Sequence, residues 1–345
     1  MCKNGKKQRD AYFDFLKGIL ILLVLLGHGI QYGNGNTYYV MEDYWNNPIM
    51  KAIYSFHMPL FAAVSGYFSF FSVGRKPFLG TCAGRWVRLA TPVAVWSLLT
   101  FACRAVLGEE NLSVKSILYA MLYHSWFIWA VLIGFCMICA ISRIGSKPIR
   151  YAVYGGVFVA GMLTPDFIWV GAAVKYIVFY QFLGYELASV GWHPKRITLR
   201  AALVGSILWI LLLLLYNKDS YIYTSLFSVI GSEEPVKQVW IDLYRNGIGV
   251  VGGFSFCGLT WLVWTWIQGK DGWMKRLFMY MGRHSLAVYM LSTPMLMYLI
   301  PTLTFGWRPS LWGTMLVAMA TGLSCMGIIA VLRKNKWTTR ILLGE

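Results

Sequence analysis

Charged residues are scarce in this sequence, and their scarcity excludes most soluble folds. Asp, Glu, Lys and Arg make up 13% of the 345 residues, whereas soluble globular proteins carry about 25%. Hydrophobic residues make up 58%, and the mean hydropathy is +0.56. The runs Leu203–Leu215 and Met315–Leu332 contain no charge at all. Because about 20 mostly apolar residues suffice to cross a bilayer, the sequence predicts an integral membrane protein.

Several other features are also missing. No Pro-, Ser- or Gly-rich tract divides the chain into two units, and the odd number of cysteines, seven, shows no disulfide framework. No small-residue cleavage site follows the first apolar run, so we expect no cleavable signal peptide. We therefore expect one membrane domain, residues 1–345, without an appended soluble domain. Any chemistry must then lie among the helices.

Ten apolar stretches are long enough to suggest an all-α integral membrane protein with about ten transmembrane helices. Their approximate ranges are 13–32, 52–71, 89–107, 117–141, 151–163, 168–190, 199–216, 245–267, 284–303 and 311–332. The fifth is short and depends on a tight turn at Pro165.

The net charge of +17 follows the predicted topology. With the N terminus inside, the inner segments hold 22 Lys and Arg, the outer segments hold 6, and the other three lie within spans. This asymmetry is the positive-inside rule and predicts that both termini are cytoplasmic. It also explains the basic balance without nucleic acid, which we exclude as a partner.

The first span carries polar groups on one face. Lys17 and His28 are eleven residues apart, about three helical turns, and Asp14 precedes Lys17 by three residues. Asp14 and Lys17 are also consistent with a snorkelling pair at the inner interface. His28 lies about 16 Å beyond Lys17, too deep for that explanation. It is our candidate general base.

Two more histidines are predicted at the same depth on other helices. His57 lies in the outer half of the second span, and His124 lies in the outer half of the fourth. A single buried histidine is more often structural, but three at one depth suggest a site. At the inner end of the third span, Arg85 and Arg88 share a helix face and, after Arg75 and Lys76, suit phosphate groups. Flanking positive-inside charge is the other explanation for these arginines.

Three further charges lie within spans: Arg104, Lys175 and Glu186. The sequence leaves open whether they pair with one another, line a cavity or contact an acceptor. No cluster of metal ligands is seen, and we expect no metal.

Taken together, the motifs resemble the acyltransferase 3 superfamily of ten-span membrane acyltransferases, which includes bacterial sugar O-acetyltransferases. The matching residues, in order along the chain, are Lys17 and His28 with Asp14 ahead, Phe56–Phe61 and Ser65–Tyr67, Arg85, Arg88 and Pro92, His124, Trp126 and Phe127, and Gly282, Ser285, Leu286 and Tyr289. The ordered set covers most of the chain, so it is more specific than any one motif.

The chain departs from the family pattern at three points. Lys17 stands where Arg is commoner, and Leu291–Pro294 lacks the histidine that many relatives carry after the tyrosine of the ninth span. No esterase-like domain follows the tenth span. A role for that histidine or that domain is therefore not transferable.

The resemblance implies an O-acyltransferase of a bacterial-type plasma membrane. Its donor would be cytoplasmic acetyl-CoA or another short acyl-CoA, and its acceptor a hydroxyl of a cell-surface glycan or a lipid-linked precursor. Arg85, Arg88 and Lys17 would bind the donor, Asp14 would orient Lys17, and His28 would act as base or acyl carrier. The remaining predicted pocket residues are His57, Ser65, His124, Trp126 and Tyr289.

Two other functions are compatible with parts of the pattern. A transporter or flippase for a glycan or lipid intermediate also places charges within its spans, although the two halves of this chain show no internal repeat. An intramembrane serine protease is less consistent, because Ala63–Gly66 lacks the leading glycine of a Gly-x-Ser-Gly signature. Turnover of acyl-CoA distinguishes the enzyme from both.

Overall fold

The computed structural model describes residues 10–32, 45–74, 77–106, 113–166, 169–225, 227–300 and 311–345. These residues form helices and turns, with no β-strand among them. The helices are α1 (Ala11–Tyr32), α2 (Pro48–Phe70), α3 (Phe78–Val106), α4 (Val114–Tyr123), α5 (Trp126–Ile141), α6 (Lys147–Leu163), α7 (Trp169–Ser189), α8 (Leu199–Leu213), α9 (Ile222–Ser225), α10 (Pro235–Ile267), α11 (Trp273–Arg283), α12 (Ser285–Pro294), α13 (Leu311–Leu332) and α14 (Lys336–Leu342).

Each predicted span contains helix, but the helices differ in length. Within the described residues, four helices are long and apolar enough to cross a membrane: Ala11–Gln31, Phe78–Val106, Pro235–Ile267 and Trp312–Leu332. The bent pair α4 and α5 makes a fifth if the two helices form one span. These are the helices of a membrane protein, while the number of ten crossings stays a prediction.

Two predicted spans are interrupted. The fourth bends by 64° between α4 and α5, which places His124 and Ser125 at a corner. The ninth continues past Pro294 as a π-helical turn, Met295–Leu299. Proline has no N–H to donate to the helical ladder, so a change of helix type at this residue is expected.

Apolar side chains also cover much of the outer surface. Helix α8 is almost entirely apolar, and most of its large side chains point away from the protein. The exposed residues of this helix are Leu199, Leu203, Val204, Ile207, Leu208, Ile210 and Leu211. In water such a surface would favour aggregation, whereas lipid tails solvate it.

Close backbone contacts join the helices around the first span. A Cβ built on Gly282 of α11 would lie 1.7 Å from the carbonyl oxygen of Asp14. A Cβ built on Gly66 of α2 would lie 2.0 Å from that of Gln181 in α7. Small residues allow membrane helices to approach in this way. Two glycines of the sequence motifs therefore serve packing, and the Gly282 contact brings α11 against the residues around Asp14.

Candidate active site

A cavity of about 300 Å³ lies where five helices meet. It is bounded by α1, α2, α3, α5 and α12, and its volume is at the lower end of the range for ligand pockets. Its lining residues include four of the predicted site residues: Lys17, Ser65, Arg85 and Tyr289. These residues are up to 272 positions apart in the sequence, since 289 less 17 is 272.

One end of the cavity is positively charged. The Nζ of Lys17 lies 3.2 Å from Oδ1 of Asp14. The other carboxylate oxygen of Asp14 lies 3.4 Å from Nε of Arg283, at the end of α11. Asp14 itself is 2% exposed. A single buried carboxylate thus contacts two cations, and one of them, Lys17, lines the cavity.

Arg85 supplies the other cation at this end. Its guanidinium lies over the ring of Phe135, with the Cζ atom 4.8 Å from the ring centroid. Its Nε is buried and makes no hydrogen bond within the part of the chain that the structure describes. Because a buried donor without a partner costs about 1–3 kcal/mol, an anion entering the cavity would be stabilised here.

Arg88, predicted to act with Arg85, points elsewhere. Its Nε donates to the carbonyl oxygen of Gly344, at 2.6 Å. Gly344 has a φ of +66°, and a Cβ there would lie 2.4 Å from the carbonyl oxygen of Arg88. The two arginines therefore have different environments in this structure. Arg75 and Lys76, predicted to extend the basic cluster, lie outside the described residues.

The segment that holds Arg88 consists of α14 and residues 343–345, and we call it the strap. Leu343 is 1% exposed, and the indole of Trp96 donates to the carbonyl oxygen of Leu342 at 2.8 Å. The carboxylate of Glu345 contacts Nδ1 of His284 and lies 3.4 Å from Nε of Arg333. The strap thus places an acidic side chain beside the basic residues at the charged end.

The opposite end of the cavity is apolar. Val24, Met58 and Phe127 line it together with the ring of Tyr289. The Tyr289 hydroxyl donates to the carbonyl oxygen of His124 at 2.8 Å. This bond fixes the ring at the corner between α4 and α5.

His28 lies just beyond the apolar end. It follows Val24 by four residues, about 6 Å along α1, and its ring centroid is 6.5 Å from that of Tyr289. The Tyr289 hydroxyl contacts the backbone of His124. His28 and His124 therefore both lie beside Tyr289, and none of the three predicted histidines lines the cavity.

Comparison with known proteins identifies the family of the chain. The profile of the family described as "Acyltransferase domain", the acyltransferase 3 family, matches residues 10–333. The chain belongs to the acyltransferase 3 family. Two relatives, each called "Nodulation protein NolL", come from Mesorhizobium japonicum and Sinorhizobium fredii. They are 30% and 31% identical over 70% and 69% of this chain, which spans 65% and 66% of their lengths. No solved structure matches the chain.

Within this acyltransferase-family chain, the other predicted pocket residues lie around the cavity rather than in it. The Nδ1 of His57 is 2.7 Å from the carbonyl oxygen of Ile53, and its ring contacts Tyr54. Trp126 packs edge-on against Tyr223, at 6.3 Å between centroids. These contacts are those of packing residues, and Phe127 lines the cavity instead of Trp126.

The three in-span charges whose roles the sequence left open do not pair with one another. Arg104 lies over the ring of Tyr298, at 4.8 Å, and the Tyr298 hydroxyl is 3.3 Å from Nε2 of His124. Lys175 pairs with Asp166 at 2.7 Å. Glu186 accepts two hydrogen bonds from Arg150, at 2.6 and 3.0 Å.

Sequence reasoning missed three polar residues. Arg283 follows Gly282 directly in the motif, and this adjacency was a signal for its place beside Asp14. Asp242 fell in a predicted outer loop and Arg245 at the start of the predicted span 245–267, but α10 begins at Pro235 and buries both. Arg245 donates to the carbonyl oxygen of Asp219 and to the Ser225 hydroxyl. This pair ties the segment before α10 to the helix.

Among the described residues, no group of three or more His, Cys, Asp or Glu side chains is arranged to hold a metal ion.

Proposed function

We propose that the protein is a membrane O-acyltransferase. It would transfer an acetyl or other short acyl group from acyl-CoA to a hydroxyl of a cell-surface glycan or its lipid-linked precursor. The observation that carries the proposal is the cavity, which is cationic at one end and apolar at the other and stops one helical turn from His28. Membership of the acyltransferase 3 family supports it.

The cationic end suits the phosphates of coenzyme A. Arg85 has a buried Nε without a partner in the described residues, and Lys17 adds a second charge. An arginine beside a phosphate forms short, charge-assisted hydrogen bonds. Arg88 would join them when its bond to Gly344 is exchanged for one to the donor.

The apolar end would hold the thioester. His28 would then act as general base, taking the proton of the acceptor hydroxyl while its oxygen attacks the thioester carbon. The carbon–sulfur bond breaks, and the CoA sulfur leaves with that proton. Alternatively, His28 accepts the acyl group first and releases CoA, and the hydroxyl then attacks the acyl-imidazole. An acylated His28 found without acceptor would establish the second route.

The membrane arrangement is part of the proposal. We infer about ten spans with both termini cytoplasmic, in a bacterial-type plasma membrane, from the 22 inner and 6 outer basic residues. The cationic end would then lie near the cytoplasm, where acyl-CoA is found. His28 would lie toward the outer half, where a glycan acceptor arrives.

The test is acyl transfer by the purified protein in proteoliposomes. Release of CoA thiol and acyl incorporation into a glycan acceptor are measured for the wild type, His28→Ala and His193→Ala. His193 is a matched control because it is bonded to Asp10, away from the cavity. We expect His28→Ala to lose at least about 100-fold in turnover, and His193→Ala to stay close to the wild type.

Near-normal turnover by His28→Ala would refute the catalytic assignment. Movement of a glycan across the bilayer without any consumption of acyl-CoA would favour the transporter instead.

A further inference from the structure

The cavity extends along the helices that line it, from the end with Lys17 and Arg85 to the end with Val24, Met58 and Tyr289. Along α1 the lining runs from Lys17 to Val24, and along α2 from Phe68 to Met58. Along α12 it runs from Ser285 to Tyr289. At 1.5 Å per residue these stretches are about 10, 15 and 6 Å long. The cavity is thus a shaft with its charged mouth at one end and Tyr289 near the other.

Tyr289 stands between this shaft and a second, much smaller space. That space, about 20 Å³, is lined by Tyr289 together with Trp96, Ser97, His124 and Thr293 among others. Such a volume is close to that needed for a single water molecule. The tyrosine ring belongs to both linings, so it is the wall that divides them.

The ring is held on three sides. Its hydroxyl is bonded to the His124 backbone, its centroid is 6.5 Å from that of Phe127, and His28 lies at the same distance. The helix that carries it is buried from Ala287 to Thr293. The other residues at this end are Val24, Met58 and Phe127, and their apolar side chains have no hydrogen bond to fix them. Tyr289 is therefore the part of the end wall that a hydrogen bond holds in place.

We propose that Tyr289 is the specificity-determining residue for the length of the acyl group. This inference rests on the proposed function, with the donor phosphates at Lys17 and Arg85. A thioester whose CoA arm occupies the shaft brings its acyl chain against the tyrosine ring. An acetyl group fits, and each added methylene must displace a side chain that its hydrogen bond holds in place. Removal of the ring joins the shaft to the small space behind it.

The experiment compares acetyl-, butyryl- and hexanoyl-CoA as donors for the wild type, Tyr289→Ala and Tyr289→Phe. The measured quantity is the ratio of kcat/KM for each longer donor to kcat/KM for acetyl-CoA. One misfitting methylene in an apolar pocket changes such ratios by about 10-fold or more. We expect the wild type to favour acetyl-CoA by at least that factor. Tyr289→Ala should raise the hexanoyl to acetyl ratio by about 10-fold or more, and Tyr289→Phe, which keeps the ring but loses the hydrogen bond, should raise it by a smaller factor.

Two results would overturn the inference while leaving the proposed function intact. One is a wild type that uses acetyl- and hexanoyl-CoA equally well, which needs no variant to observe. The other is a Tyr289→Ala enzyme that turns over acetyl-CoA with an unchanged ratio. If Tyr289→Ala does not fold, Tyr289→Leu is tested instead, since leucine also removes the aromatic ring from the end of the cavity. A wild type that consumes no acyl-CoA would refute the proposed function and this inference together.

Discussion

Two of the cavities among the described residues differ in the balance of the charges around them. The groove between α6 and α7 is the larger, about 630 Å³, and it is lined by Lys175 and Glu186. Lys175 pairs with Asp166, and Glu186 with Arg150. Two cations therefore face two carboxylates, and the net charge is zero.

The smaller cavity differs in this balance. Lys17 and Arg283 share the carboxylate of Asp14, and Arg85 makes no ion pair with any described residue. Of these four described side chains, three are cations and one is a carboxylate. Charge in a membrane interior is costly and usually serves function. This excess of cations among the described side chains, rather than the volume of the space, distinguishes the candidate site from the groove.

The largest effect we expect concerns the groove between α6 and α7, where the charges balance. Arg150→Met leaves Glu186 as an unpaired, largely buried carboxylate, and breaking such a pair costs about 3 kcal/mol or more. The variant should unfold at lower denaturant concentration or temperature, and its folded fraction should retain turnover. Arg85→Met is the matched control in the other cavity, where no ion pair is broken.

Equal stability of Arg150→Met and Arg85→Met would contradict the difference proposed between the two cavities. Loss of acyl transfer by folded Arg150→Met would also contradict it.

The second expected effect is on donor binding. Arg85→Ala removes the cation with the unpartnered Nε, and a hydrogen bond to a charged group contributes about 1.5–3 kcal/mol. The KM for acyl-CoA should rise by about 10-fold or more, with little change in the KM for the acceptor. Steady-state kinetics with each substrate varied in turn measure both constants. Equal increases in the two constants would contradict a role in holding the donor.

The sequence predicted the helices, and its ordered motifs named candidate site residues on several of them. The structure places four of these candidates, Lys17, Ser65, Arg85 and Tyr289, around one cavity. Helical periodicity also put Lys17 and His28 on one face of α1. These inferences needed only local geometry and the family resemblance.

The remaining features depend on contacts between distant segments. The hydrogen bond from Arg88 to Gly344 joins residues 256 positions apart, and no local sequence pattern around Arg88 predicts it. The shared Asp14 depends on the close approach of α11 through Gly282. Asp242 was assigned to a loop, and Arg245 to the first position of a span, because hydropathy locates the apolar part of a helix and not its polar first turns.

The smallest effect we expect concerns the strap, which lies beside the charged end of the smaller cavity. Burial alone would raise the pKa of Glu345, but the neighbouring His284, Arg333 and Arg88 outweigh it, so the pKa lies below the ordinary value of 4.5. The docked strap therefore holds this carboxylate in its charged form more strongly than a detached strap does. Docking should be fully supported above pH 4.5 and should weaken as the pH falls further.

Hydrogen exchange of residues 336–345, corrected for intrinsic rates, measures this docking between pH 3.5 and 7. Glu345→Gln is the matched control, since it keeps the side-chain shape without the titrating charge. Its strap should be less protected at neutral pH, with a flatter dependence below pH 4.5. If wild-type protection already fell between pH 7 and 5, the depressed pKa of Glu345 would not be the cause. The strap would then be held by the buried side chain of Leu343 and by the hydrogen bonds that Arg88 and Trp96 donate to its backbone. The positive charge around the cavity would not contribute to docking of the strap.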